Sequence, residues 1–166
     1  MEPPWRAVLW SQLGAAIDML ENAVVACPEE LWGDRSRRPE FWHLVFHTLF
    51  FLDLHLSESL EGFAPPAPFT RDELDPAGVM PERVYTKGEL LDYLAYARRK
   101  GRQRLEALTE EQAGERRRFG SLDGTVAELL LYTLRHVQHH ATQLNLILRQ
   151  TTDSAPRWVR RAESGA

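Results

Sequence analysis

Apolar positions recur three and four residues apart in four separate stretches of the chain, the period of a helix with one buried face. In the first stretch Leu9, Leu13, Ile17, Leu20 and Val24 make the stripe, which predicts a helix from about Pro4 to Ala26. Pro3-Pro4 suits its start, because a first-turn proline forfeits no intrahelical bond, and Pro28 ends it by pushing the preceding residue out of the helical region. Residues 28–38 read as a polar connection around Trp32 and Gly33. A second helix begins near Pro39-Glu40 and runs to about Ser59, with Gly62 as its stop. Apolar residues cover most of its circumference, which predicts deep packing. The third opens on a capping box, Thr86-Lys87-Gly88-Glu89, and buries Leu90, Leu91, Leu94, Ala97, Leu105 and Leu108. Gly101 in its middle costs about 1 kcal/mol against alanine, which a close approach between helices would explain. The fourth opens on a second box, Thr125-Val126-Ala127-Glu128, and runs to about Gln150. Beyond it, residues 151–166 form a short tail, basic at Arg157, Arg160 and Arg161, and expected to fray.

Between the second and third helices the pattern breaks. Residues 62–85 hold five prolines (Pro65, Pro66, Pro68, Pro76, Pro81), which forbid regular structure. A connection this long is a lid, a binding loop or a crossover. At about 3.3 Å per extended residue it can run the length of a helix, so the helices it joins can lie parallel. The expected fold is all-α: one four-helix-bundle domain over residues 1–150, with one long crossover connection between helices 2 and 3 and no β-sheet of any size. Whether the crossover also folds over a functional site is left open by the pattern.

Composition narrows the function. The chain has 166 residues, enough to bury a core without staples. Its net charge of −4 argues against nucleic acid, and the local run Arg116-Arg117-Arg118 falls between helices, where solvation is expected. Cys27 is the only cysteine, so an intrachain disulfide and a thiolate cluster are both excluded, and a reducing cytoplasm is the expected location. No basic region followed by an apolar run marks the N-terminus as a signal peptide. The most apolar stretch, Leu44 to Leu56, is interrupted by His47, Asp53 and His55 and falls short of the ~20 residues of a membrane span.

The chemistry lies in the histidines. All six fall in two places: His43, His47 and His55 in the second helix, and His136, His139 and His140 in the fourth. His136 and His140 are four apart, so they share a face, one turn above the other. His140 falls on the apolar stripe of its helix, His136 beside it, and His139 further round. His47 shares a stripe with Phe50, Phe51 and Leu54, and His43 stands one turn earlier. Each buried imidazole needs a partner or loses about 1–3 kcal/mol. One metal ion would satisfy three of them, and separate hydrogen bonds to core groups would do the same.

The run from Arg135 to Leu144, with a histidine, two spacers, a His-His pair and Gln-Leu shortly after, resembles the last-helix signature of the DinB/YfiT-like family of bacterial metal-binding four-helix bundles. Trp42 to Asp53 resembles that family's second helix. The resemblance extends over nearly the whole chain in helix order and loop lengths. It implies a three-histidine site with His47, His136 and His140 as ligands. Family members often carry Arg-Gly after the His-His pair where this chain has Ala141-Thr142, a departure that bears on helix packing and not on the ligands.

Three neutral imidazoles leave a divalent ion's charge uncompensated and a position open, the pattern of a catalytic site. Zinc and nickel suit such ligands best, with manganese or iron as alternatives. The resemblance implies metal-assisted transfer of a low-molecular-weight thiol to a small-molecule substrate, and a homodimer. Five tryptophans, many for one small core, agree with an interface between copies. The competing readings are a metal-dependent hydrolase and a stress-associated bundle that holds a metal without turnover. Asp53 is a candidate for proton transfer or ligand support, against an exposed capping role, and Tyr132 and Gln143 are candidates for lining the pocket.

Overall fold

The computed structural model describes residues 4–162; Pro3, and the tail's last residues 163–166, lie outside them. The chain runs through α1 (Trp5–Ala26), α2 (Glu29–Trp32), α3 (Phe41–His55), α4 (Lys87–Ala107), α5 (Glu110–Gly114), strands β1 (Arg116–Phe119) and β2 (Leu122–Thr125), and α6 (Val126–Thr152). The protein is mostly helical. Both expected capping boxes are present: Thr86 with Glu89 opens α4, and Thr125 with Glu128 opens α6. A third, Thr109 with Gln112, opens α5. Among the described residues no helix is long and apolar enough to cross a membrane.

The four longer helices are arranged so that α1 and α3 each pack on both α4 and α6. Contacts at the helix ends fix their directions. Trp42, at the start of α3, meets the Tyr85 ring just before α4 at 5.8 Å, and Leu56, just past α3, comes within 3.3 Å of where a Cβ on Gly101 of α4 would sit. These two helices are therefore parallel, as a long crossover permits. By contrast α3 and α6 are antiparallel, because His47 meets His140 while His55 meets Tyr132. Between them lies a core in which Leu13, Ile17, Phe46, Leu49, Leu90 and Leu144 have no exposed surface. The second helix ends at His55, earlier than Ser59, because Ser57 N–H turns back onto Leu54 O at 3.0 Å and closes the last turn.

The crossover is pinned along its length. Phe63 packs on Phe50 at 5.3 Å, and Phe69 stacks between Phe46 and Tyr93. The segment thus retraces α3 from its end to its start. Despite the prolines, Asp72–Leu74 form a turn of 3-10 helix.

Several expectations need correcting. The expectation of no β-sheet of any size fails, since β1 and β2 form an antiparallel hairpin with Phe119 opposite Leu122. Its turn is Gly120-Ser121, with Gly120 at φ 62°, a geometry that glycine adopts without steric cost. The hairpin also orders the arginine run: Arg116 and Arg118 reach Asp123 on the exposed face, while Arg117 turns inward to Glu58 O. Asp53 is not an exposed cap but fully buried, bonded to Tyr93 and Lys100 of α4. The tail does not fray over its described part. Ala162 N–H bonds Ser11 O at 2.9 Å, and Gln12 donates to Arg160 O at 3.2 Å, so residues 160–162 are tied to α1.

Candidate metal centre

The antiparallel pairing of α3 and α6 brings His47 opposite the His136–His140 turn. All three rings point their Nε2 atoms at one spot. His136 Nε2 lies 3.3 Å from His47 Nε2 and 3.1 Å from His140 Nε2, and one nitrogen from each of the three rings falls within 4.8 Å of the others. Nitrogens bound at 2.0–2.1 Å to one tetrahedral ion stand about 3.3 Å apart. The spacing therefore fits a single ion held by three imidazoles, and these three histidines could hold one.

The far nitrogens of two rings are already committed. His47 Nδ1 is 2.6 Å from Glu73 Oε2, and His140 Nδ1 is 2.7 Å from Gln143 Oε1. Both Nδ1 atoms donate, so each Nε2 presents a lone pair to the centre. His136 Nδ1 is buried with no hydrogen-bond partner. A cation satisfies converging lone pairs in a way that a hydrogen bond between two of the rings cannot satisfy for all three.

A DinB superfamily model matches residues 12–144, a span that contains all three histidines. The chain belongs to the DinB superfamily. The superfamily is metal-binding, in keeping with the donor set. Neither the curated proteins nor the solved structures supply a match.

Electrostatics in this DinB-superfamily chain favour the ligand form of the histidines. Burial drives His136 down to about 3, with the neighbouring His140 and His47 adding to the shift. His140 is also lowered, again chiefly by burial. Both rings are therefore neutral near pH 7, as metal ligands must be. Burial alone would raise the Glu73 carboxyl, but the hydrogen bonds from His43 and His47 outweigh it and hold the group near 2. An ionised Glu73 can only accept, in keeping with donation from His47 Nδ1.

The other sequence candidates divide clearly. Gln143 supports His140, and Tyr132 lies parallel to the His136 ring at 6.5 Å. Both border an open groove of about 650 Å³ on the outer side of α6, which also takes in Arg135, His136, His139 and Leu146. Asp53 is no part of this centre, being committed to α4. His43 reaches the site indirectly, through Glu73 Oε1 at 2.7 Å. His55 sits among Phe51, Phe119 and Tyr132, and burial lowers it to about 4. The residue that sequence reasoning missed is Glu73. It lies in the irregular crossover, where no periodicity assigns a direction to a side chain; its one signal was an acidic residue in a segment long enough to fold back on α3.

Proposed function

We propose that this chain is a metal-dependent enzyme in which His47, His136 and His140 bind one divalent ion, zinc or nickel before manganese or iron. In this reading the four long helices form a four-helix bundle, and the metal sits between its second and fourth members. The observation that carries the proposal is the convergence of the three rings: His136 Nε2 lies 3.3 Å from His47 Nε2 and 3.1 Å from His140 Nε2, one nitrogen from each ring falls within 4.8 Å of the others, and two of the rings are locked in the lone-pair tautomer. A divalent ion there supplies Lewis acidity that lowers the pKa of a thiol or water bound to it.

The protein's own groups define what can reach the centre. Three imidazole ligands would leave the charge of a bound divalent ion uncompensated, which favours an anionic partner such as a thiolate. Arg135 and His139, on the groove that borders His136, offer cationic and hydrogen-bonding contacts to a polar small molecule. On these grounds, together with the family resemblance, transfer of a low-molecular-weight thiol to a small electrophile is the activity we assign. We also propose a homodimer. Val8 and Leu131 are each at least half exposed on neighbouring faces of α1 and α6, where they line a second groove of about 670 Å³ together with Trp5 and Leu134. The single buried cysteine suits a reducing cytoplasm.

The test is metal analysis of protein purified without a histidine tag, followed by turnover assays with a panel of thiols and electrophiles. One ion per chain and thiol-dependent consumption of an electrophile are the expected results. Turnover of esters or amides without a thiol would make the chain a hydrolase. Bound metal with no turnover would leave it a binding protein, and absence of metal would overturn the reading.

A further inference from the structure

The crossover lends the histidine cluster one charged side chain. Glu73 stands on the turn Asp72–Leu74, with 7% of its side chain exposed. Its two oxygens are divided between two histidines one turn apart on α3: Oε2 to His47 Nδ1 at 2.6 Å and Oε1 to His43 Nε2 at 2.7 Å. Taking a carboxylate out of water costs several kcal/mol unless its lone pairs are met. Here both donors come from the helix that also presents a ligand to the metal.

We propose that Glu73 is a positioning residue for the metal centre, and that it latches the 62–85 crossover to that centre. The proposal rests on the metal reading given above. Glu73 holds the His47 ring in the plane and tautomer that aim Nε2 at His136 and His140. It also places a negative charge one ring away from a site whose three ligands carry none. An ion on Nε2 draws electrons from the ring, which makes Nδ1–H a better donor and tightens its bond to Glu73. Metal occupancy and crossover docking therefore favour each other, and such coupling is reciprocal. Phe69 and Tyr85, packed against Phe46, hold the crossover in place on either side of the turn, so the latch closes a segment already set on α3.

Glu73→Ala, Glu73→Gln and His43→Ala are compared with the unaltered chain. Zinc affinity is read by competition with a chromophoric chelator. Deuterium uptake across residues 69–75 is read with and without zinc. Loss of such an outer partner costs about 10–100-fold in metal affinity. Glu73→Ala should fall in that range, Glu73→Gln should lose less because its amide oxygen still accepts, and His43→Ala, which removes one of the two donors holding Glu73 but leaves its contact to His47, should also lose less than Glu73→Ala. Zinc should slow exchange in the unaltered chain and leave it unchanged in Glu73→Ala. If Glu73→Ala does not fold, Glu73→Gln, which keeps the volume, carries the comparison. Zinc bound to a Glu73 variant at full affinity overturns the positioning role while the metal reading stands. Zinc that leaves exchange of the unaltered chain unaltered overturns the latch. An unaltered chain that binds no zinc overturns the metal reading, and this proposal falls with it.

Discussion

The Tyr93 hydroxyl donates to Asp53 Oδ2 at 2.9 Å, joining α4 to α3 inside the core on a carboxylate with no exposed surface. Lys100 closes the same cluster from the rim, bonding the Asp53 side chain, its backbone carbonyl at 3.1 Å and Ser57 Oγ at 2.6 Å. The buried charge is tolerated because each oxygen has a donor. The Tyr93 phenol is pushed well above its ordinary pKa, by burial first and then by the Asp53 charge, so it remains a donor at any physiological pH.

Removing either partner should destabilise the fold unequally. Asp53→Ala strands a phenol and an ammonium together and should cost about 3 kcal/mol. Tyr93→Phe leaves Lys100 on the carboxylate and should cost about 1–2 kcal/mol. Urea midpoints at constant slope would measure both. Equal losses would mean that Tyr93 carries the carboxylate without help from Lys100.

Metal binding should depend on three histidines and not on their neighbours. His136→Ala or His140→Ala should abolish stoichiometric metal, whereas His139→Ala should leave it intact, because His139 is exposed on the far side of the ring pair. Gln143→Leu removes the acceptor that orients His140 and should weaken binding about 10-fold. Stripping the metal with a chelator should lower the melting temperature, since an ion at a hundred times its Kd stabilises by about 2.7 kcal/mol. Elemental analysis and calorimetry check these together.

Acid should destabilise the metal-free chain in part through His55. Burial lowers this ring from an ordinary 6.5 to about 4. The unfolded chain therefore binds the proton more readily than the folded one across that interval, and stability falls as pH drops from 6.5 towards 4. The Glu73 carboxyl, held down in the folded state, adds loss in the same direction at the lower end. His55→Phe removes one of these protons while keeping a ring among Phe51, Phe119 and Tyr132. It should raise stability at pH 5 by more than at pH 8, by on the order of 1–2 kcal/mol. A parallel shift at both values would show that His55 does not titrate in this way.

Gly101 should tolerate one carbon and no more. An added Cβ would stand 3.3 Å from Leu56 Cδ1 and 3.6 Å from the Trp10 ring. The Leu56 methyl can yield a few tenths of an ångström, at a cost close to the helical gain of about 1 kcal/mol. Gly101→Ala should thus change stability by less than about 0.5 kcal/mol, while Gly101→Leu overpacks the α1–α3–α4 junction and should cost about 2–3 kcal/mol. Thermal unfolding of the two variants decides it.

Local rules carried much of the architecture. The stripe from Leu9 to Val24, the boxes at Thr86 and Thr125 and the stop at Pro28 are written in neighbouring residues, because helix period, capping and proline geometry act within one or two turns; Gly62 did not stop the second helix, which closes at His55. The hairpin around Gly120-Ser121 went unread, because the surrounding arginines give no strand alternation. The inward facing of His47, His136 and His140 also followed from period alone.

What period cannot supply is depth, register and reach. Asp53 is a polar residue on an apolar helix, and only the placement of Tyr93 and Lys100 on a parallel neighbour made it a buried anchor. The approach of three Nε2 atoms to one point needed α3 and α6 to be antiparallel at one particular register, which is set by packing over the whole core. Glu73 needed the most: a crossover pinned by Phe63, Phe69 and Tyr85 that retraces α3 and sets an acid from an irregular segment against His47. Side-chain direction in a helix is fixed by the hydrogen bonds of its own backbone. In a proline-rich segment it is fixed by whatever the segment packs against, and that information resides in distant residues.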